Sequence, residues 1–135
     1  MAPPKVSIEA IGRQFIDAFN RREAEELIAL CDPGIEFRPT SLVGERRRYN
    51  GHEGLRRWVA ELDESRIEHQ VRIREVRPTE NGFLVLSEVL LDGEFVSPSA
   101  MLARLNEAGL IVKARAFLTD EETLKQVGWA PERPE

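Results

Sequence analysis

His69 and the pair Glu36 and Arg38 are the side chains of this chain best placed by type and spacing to do chemistry. His69 stands in IEHQVRIR, where Ile67, His69, Val71 and Ile73 alternate with Glu68, Gln70, Arg72 and Arg74. An imidazole changes charge near neutral pH, so on the apolar face of a strand it can act as a general base or hydrogen-bond a ligand carbonyl. The same placement suits a packed histidine near a sheet edge or at a subunit contact. Glu36 and Arg38 share a strand face at i, i+2 spacing. A guanidinium there can bind a carboxylate or steady developing negative charge with the glutamate orienting it, or the two can form a structural ion pair. The catalytic candidates are therefore His69, Arg38 and Glu36.

Other side chains read mainly as architecture. Phe15, Phe19, Phe37, Tyr49 and Trp58 recur at helix or strand spacing as core residues do, and flat apolar rings can equally wall a pocket for a flat apolar ligand. Glu88 interrupts the apolar run FLVLSEVLL and so needs a partner, for which Arg104 or Arg115 on neighbouring strands is expected. Such a pair belongs on the outer face of the sheet. His52, in NGHEG, falls at a helix start as a cap or turn residue. The one cysteine, Cys31, lies in an apolar run as a small core residue and has no internal disulfide partner, which suits a reducing cytoplasm.

Whole function classes drop out. Two histidines on different elements and one cysteine make no metal-ligand spacing. No phosphate-cradling glycine loop, nucleophile elbow or dinucleotide fingerprint occurs, so no cofactor is expected. With 24 acidic against 19 basic residues the net charge is -5, which opposes the sequence-blind phosphate attraction behind most nucleic-acid binding. The cluster Arg46 to Arg48, with Arg56 and Arg57, reads as a solvated loop and helix face. The start, MAPPKVSIEAIG, lacks the apolar core of a signal peptide, and no window is long enough to span a bilayer. A soluble cytoplasmic protein, off membranes and nucleic acids, is the expectation.

The elements that must position these residues follow from periodicity. Ser7 can cap a helix in which Ile8, Ile11, Phe15, Ala18 and Phe19 recur, ending at Asn20. A second helix runs from about Ala24 to Cys31, stopped by Pro33-Gly34, and Ile35 to Pro39 forms a short strand. Residues 40–51 form a polar loop. Leu55, Trp58, Val59 and Leu62 repeat as i, i+3, i+4, i+7 on one helix face. Beyond Ser65 the period becomes two. Asn81-Gly82, Asp92-Gly93 and Asn106 to Gly109 reverse the chain three times, joining four strands as an antiparallel meander. Thr119 with Glu122 is a capping box for a last helix through Leu124 and Val127 to Gly128. One domain fills residues 1–135, with tails at 1–6 and 129–135. Its fold class is α+β: a cone-shaped roll of curved antiparallel sheet wrapped around amino-terminal helices, with an apolar hollow at the wide end.

The order QFIDAFNRREAEELIALCDPGIEFRP, then YNGHEGLRRWVAEL, then a strand-rich half ending in RAFLTDEETLKQVG resembles the nuclear-transport-factor-2-like superfamily, in particular its SnoaL-like branch. The resemblance covers Ile8 to about Gly128 and implies a cystatin-like cone with an internal pocket. It also implies relatives that include polyketide cyclases, ketosteroid isomerase and limonene epoxide hydrolase, besides members that only bind, scaffold or dimerise. In the isomerase a tyrosine, an aspartate base and a protonated acid do the chemistry. Those positions fall here on Phe15, Arg38 and near Met101, all three functional groups are missing, and the resemblance does not carry that mechanism to this chain. Arg38 cannot serve as a base, because guanidinium stays protonated. Met101 joins the five aromatics as an expected ligand contact.

Three readings of function remain. One is a pocket protein for a small hydrophobic organic ligand. Another is a cofactor-independent acid–base enzyme on a polyketide-like carbonyl substrate, with His69 as base and Arg38 as electrophilic helper. The third is a dimerisation or scaffold module without ligand. Phe83–Leu91 is apolar on both faces, which predicts a homodimer through the outer face of the sheet.

Overall fold

A computed structural model describes residues 5–39, 48–65, 67–118 and 122. Helix α1, Lys5–Asn20, is followed by α2, Ala24–Ala29, strand β1, Cys31–Arg38, strand β2, Tyr49–Asn50, and helix α3, Gly51–Glu64. Four further strands follow: β3, His69–Pro78; β4, Gly82–Leu91; β5, Glu94–Leu105; and β6, Ile111–Phe117. The terminal helix expected after Thr119 lies outside the described residues, apart from Glu122.

Several boundaries move for local reasons. Helix α1 starts at Lys5, ahead of the expected cap Ser7, because nothing in Lys5 or Val6 breaks a helix. Helix α2 stops at Ala29, and Cys31 opens β1 rather than closing the helix. Pro33 and Gly34, expected to end a helix, sit exposed where the pairing of β1 jumps register between Cys31 and Glu36. A proline lacks the N–H a regular ladder needs, and an irregular stretch tolerates it. Within the expected loop, Tyr49 and Asn50 pair with Phe37 and Glu36.

The sheet order is β2-β1-β6-β5-β4-β3. Strands β3 to β6 form the antiparallel meander, while β1 joins β6 in parallel, so the sheet as a whole is mixed. Each of these four ladders contains a register shift. A bulge bends its strand and tightens the local twist, which is how one sheet curls around helices. Asp92 and Gly93 both take left-handed backbone, φ 51 and 83, as a two-residue hairpin requires. The Asn81-Gly82 reversal works otherwise, since neither residue is left-handed. Gly82 is needed because a Cβ there would sit 2.0 Å from the carbonyl oxygen of Ala103 on β5.

The concave face carries Ile35, Phe37, Val76, Phe83, Val85, Met101, Ala103, Ile111 and Ala114, packed on Phe15, Phe19, Leu27, Leu55, Trp58 and Val59 from the helices. Burying one such large apolar side chain contributes roughly 1.5–3 kcal/mol. Gly12 lets α1 lie close on the sheet, for a Cβ there would stand 2.9 Å from Val76 Cγ1. On the opposite face Leu84, fully buried, packs with Ala100, Leu86 and Phe117.

Candidate functional site

The end of α1 fixes the start of β3, and His69 with it. The Glu23 N–H donates to the Ala18 carbonyl at 2.9 Å and the Arg22 N–H to the Phe19 carbonyl at 3.0 Å, the two bonds of a Schellman stop. That stop calls for a left-handed residue, usually glycine, yet Arg22 fills it at φ 57. A residue with a Cβ gives up roughly 1–2 kcal/mol to sit there. Its guanidinium compensates, donating from Nη1 to the Phe19 carbonyl at 2.7 Å and from Nη2 to the His69 carbonyl at 2.6 Å. Asn20 bonds both backbone groups of Val71, and Gln70 Nε2 donates to the Asn20 carbonyl at 3.0 Å.

His69 turns inward and is half-buried. Its ring meets Phe19 edge-on at 5.7 Å, Phe19 stacks on Trp58 at 5.1 Å, and Trp58 lies 4.4 Å from Phe37. Phe15 follows at 6.0 Å from Phe37, and Tyr49 stands 6.5 Å from Trp58. The six residues expected to touch a ligand, these five aromatics and Met101, all belong to one buried cluster. Burial first, and then the positive charge of Arg22, hold the His69 pKa below its ordinary 6.5. The imidazole is therefore neutral at pH 7 and offers one donor and one acceptor nitrogen. A hollow of about 290 Å³ lies between the end of α1, the end of α3 and the start of β3, lined by polar groups of Asn20, Arg22, Asp63, Ser65, Glu68 and Gln70 together with Leu62 and Ile67, and His69 is not among its lining residues.

Glu36 and Arg38 do not join this group. Phe37 between them is buried in the concave core, so strand alternation puts its two neighbours on the outer face. Arg38 Nη2 reaches Glu36 Oε2 at 3.1 Å, and Arg48 Nε approaches the same oxygen at 3.6 Å. Arg38 Nε is buried with no partner among the described residues. The sheet stands between this ion pair and His69, which removes Arg38 as an electrophilic helper and Glu36 as its orienter for chemistry at the imidazole.

The other candidates settle into structural roles. Glu88 pairs with Arg72 on β3, at 2.6 Å, instead of Arg104 or Arg115, because Arg72 is its direct register partner. His52 Nε2 donates to the Cys31 carbonyl at 3.0 Å, tying the first turn of α3 to β1. Burial, and then Asp32, push the Cys31 thiol up to about 12. Two polar features escaped the sequence. Ser87 and Ser99, register partners, share a 2.7 Å hydroxyl contact within the buried part of the sheet. Tyr49 donates its phenolic hydrogen to the Glu61 carboxylate, while Arg57 lies 5.3 Å over the tyrosine ring. A second hollow, of about 370 Å³, includes Arg74, Glu75, Leu86 and Pro98 in its lining. Among the described residues no three ligating side chains gather to hold a metal, and no helix is long and apolar enough to cross a membrane.

Helices on the concave side of a curled six-stranded mixed sheet give the fold of solved cystatin-like and nuclear-transport-factor-2-like proteins. The model of the SnoaL-like domain matches residues 12–114, more than half of the chain, and the chain belongs to the SnoaL-like family. Solved structures repeat the fold. A protein of unknown function with a cystatin-like fold from Methylobium petroleophilum PM1 superposes with a TM-score of 0.71 at 14% identity, over 100% of both chains. A protein with a ketosteroid isomerase-like fold from Catenulispora acidiphila DSM 44928, in complex with trimethylamine, gives 0.67 at 16% identity over 100% of both. A SnoaL-like protein of unknown function from Burkholderia thailandensis E264 gives 0.65 at 14% identity, over 87% of this chain and 98% of that one. At these identities the likeness is one of fold. No curated protein matches the sequence.

Proposed function

We propose that this protein holds a small, largely apolar organic molecule at the His69 end of its core, with the neutral imidazole as the ligand's polar partner. The observation that carries this reading is the inward, half-buried His69 ring, edge-on to Phe19 at the end of the aromatic cluster; its chain neighbours Glu68 and Gln70 help line a mostly polar hollow of about 290 Å³. That volume sits at the lower bound for ligand sites, so the molecule is smaller than a drug. The trimethylamine held by the Catenulispora acidiphila protein is a small organic ligand on the same fold. The experiment is a thermal-shift panel of small apolar carbonyl and amine compounds against wild type and His69→Ala. A binder raises the wild-type melting temperature and loses most of that effect in the variant. A panel without a single shift sinks the reading.

The depressed pKa of His69 favours a second reading, cofactor-free acid–base chemistry on a polyketide-like carbonyl substrate, since a neutral imidazole is ready to accept a proton. It predicts turnover that is abolished by His69→Ala and survives His52→Ala. For assembly, the half-buried Leu86 and Phe117 of the outer face support a homodimer there, while Leu84 and Ala100 beside them are already covered within the chain. Arg104 and Lys113, neighbours in register, and Arg115 beside them bring like charge to such a contact. Self-association should then strengthen with salt, and light scattering that finds only monomer at high salt excludes the dimer.

A further inference from the structure

The reading of His69 as the ligand's polar partner requires a fixed ring, and the group that fixes it comes from another element. Arg22, left-handed at φ 57, reaches from the end of α1 to the carbonyl oxygen of His69 at 2.6 Å and back to that of Phe19 at 2.7 Å. Its guanidinium carbon also lies 4.8 Å over the Phe19 ring, and the edge contact between Phe19 and the imidazole is 5.7 Å. One cation therefore touches both the backbone that carries the imidazole and the ring the imidazole packs on. Strained backbone persists only where surrounding contacts over-determine it, and such contacts concentrate at functional places.

We infer that Arg22 is a positioning residue for His69, setting the imidazole's orientation and its contact with Phe19 from the end of the first helix. The inference rests on the ligand reading of His69 for its purpose, but not for its test. Around the imidazole, Arg22 comes from the α1 turn, and Asp63 of α3 and Glu68 of the segment before β3 act on Arg22 in turn. On the sheet side the register partner of His69 is the apolar Leu91, with Glu94 one strand further. Lysine at position 22 keeps the charge but not the planar fork that spans two carbonyls. Glycine loses both and accepts the left-handed backbone without strain.

The test is an NMR titration of the His69 imidazole in the full chain, as wild type, Arg22→Gly and Arg22→Lys, with nuclear Overhauser contacts between the His69 and Phe19 rings. In Arg22→Gly the His69 midpoint rises, since a like charge is gone and water gains access, and the ring contacts weaken. Arg22→Lys weakens the ring contacts with a smaller rise. Unchanged ring contacts and an unchanged His69 midpoint in Arg22→Gly would overturn the inference, whatever the change in melting temperature. Because no ligand enters this experiment, an empty binding panel and a failed positioning role give different results.

Discussion

Asn20 and Val71 bond to each other as two strand residues would. The Asn20 side-chain amide donates to the Val71 carbonyl at 2.8 Å, and the Val71 N–H donates to Asn20 Oδ1 at 2.9 Å. Strand β3 is an edge of the sheet, and its outward backbone groups at this point are taken up by one side chain. Asn20→Ala should cost roughly 1–3 kcal/mol, because a part-buried donor and acceptor both lose their partner. Asn20→Asp, which keeps only the acceptor, should fall between it and wild type. Urea unfolding monitored by Trp fluorescence measures both, and equal stability of the three proteins refutes the relationship.

Gly82 and Asn81 separate two explanations of one hairpin. A Cβ at position 82 meets the Ala103 carbonyl at 2.0 Å, so Gly82→Ala should lose about 3 kcal/mol or more. Asn81 is exposed and not left-handed, and Asn81→Ala should stay within about 0.5 kcal/mol of wild type. A large loss at Asn81 with little at Gly82 would restore the glycine turn that the sequence suggests.

His69 makes stability depend on pH in a definite direction. Its folded pKa lies below the unfolded value of 6.5, so the unfolded chain takes up the proton first as pH falls. The contribution is complete above 6.5 and declines from there down to the folded midpoint. His69→Gln should flatten the wild-type curve in that window and leave the carboxylate-driven loss at lower pH in place. Parallel curves for the two proteins between pH 7 and 5 would contradict the depressed pKa.

Cys31 should be inert in the folded state. With the thiol pushed up to about 12 and only 2% exposed, almost no thiolate meets solvent at neutral pH. A colourimetric thiol reagent is expected to consume one equivalent in denaturant and none in buffer over the same minutes. Fast labelling in buffer would place the residue outside the core.

Glu88 tests the register of β3 on β4. A double-mutant cycle between Arg72 and Glu88 should give a coupling of about 0.2–1 kcal/mol, the range for partly exposed pairs. Cycles pairing Glu88 with Arg104 or with Arg115 should give none.

Much of this architecture was legible from local periodicity. The α3 face of Leu55, Trp58, Val59 and Leu62, the alternation through His69, Val71 and Ile73, and the Asp92-Gly93 hairpin each depend on a few adjacent residues. What stayed hidden depends on pairing between distant segments. Neighbouring strands, not strand order along the chain, give Glu88 its partner Arg72 and bring β1 beside β6 in parallel. Arg22 was illegible for another reason, since nothing local marks an arginine where a helix stop favours glycine. The site divides in the same way. The inward position of His69 followed from alternation, whereas its separation from Glu36 and Arg38 needed the curvature and face of β1.

The parallel contact between residues 31–38 and 111–117 joins the first strand to the last described one. A chain emerging from the ribosome thus completes α1, α2, α3, its first strand and most of its hairpins before that first strand can acquire its long neighbour. Until then, among the described residues, β1 has only the two of β2 to pair with. Truncation before residue 111 should therefore leave a sticky, unzipped β1, whereas removal of the first turn of α1 should leave a chain that still closes its sheet.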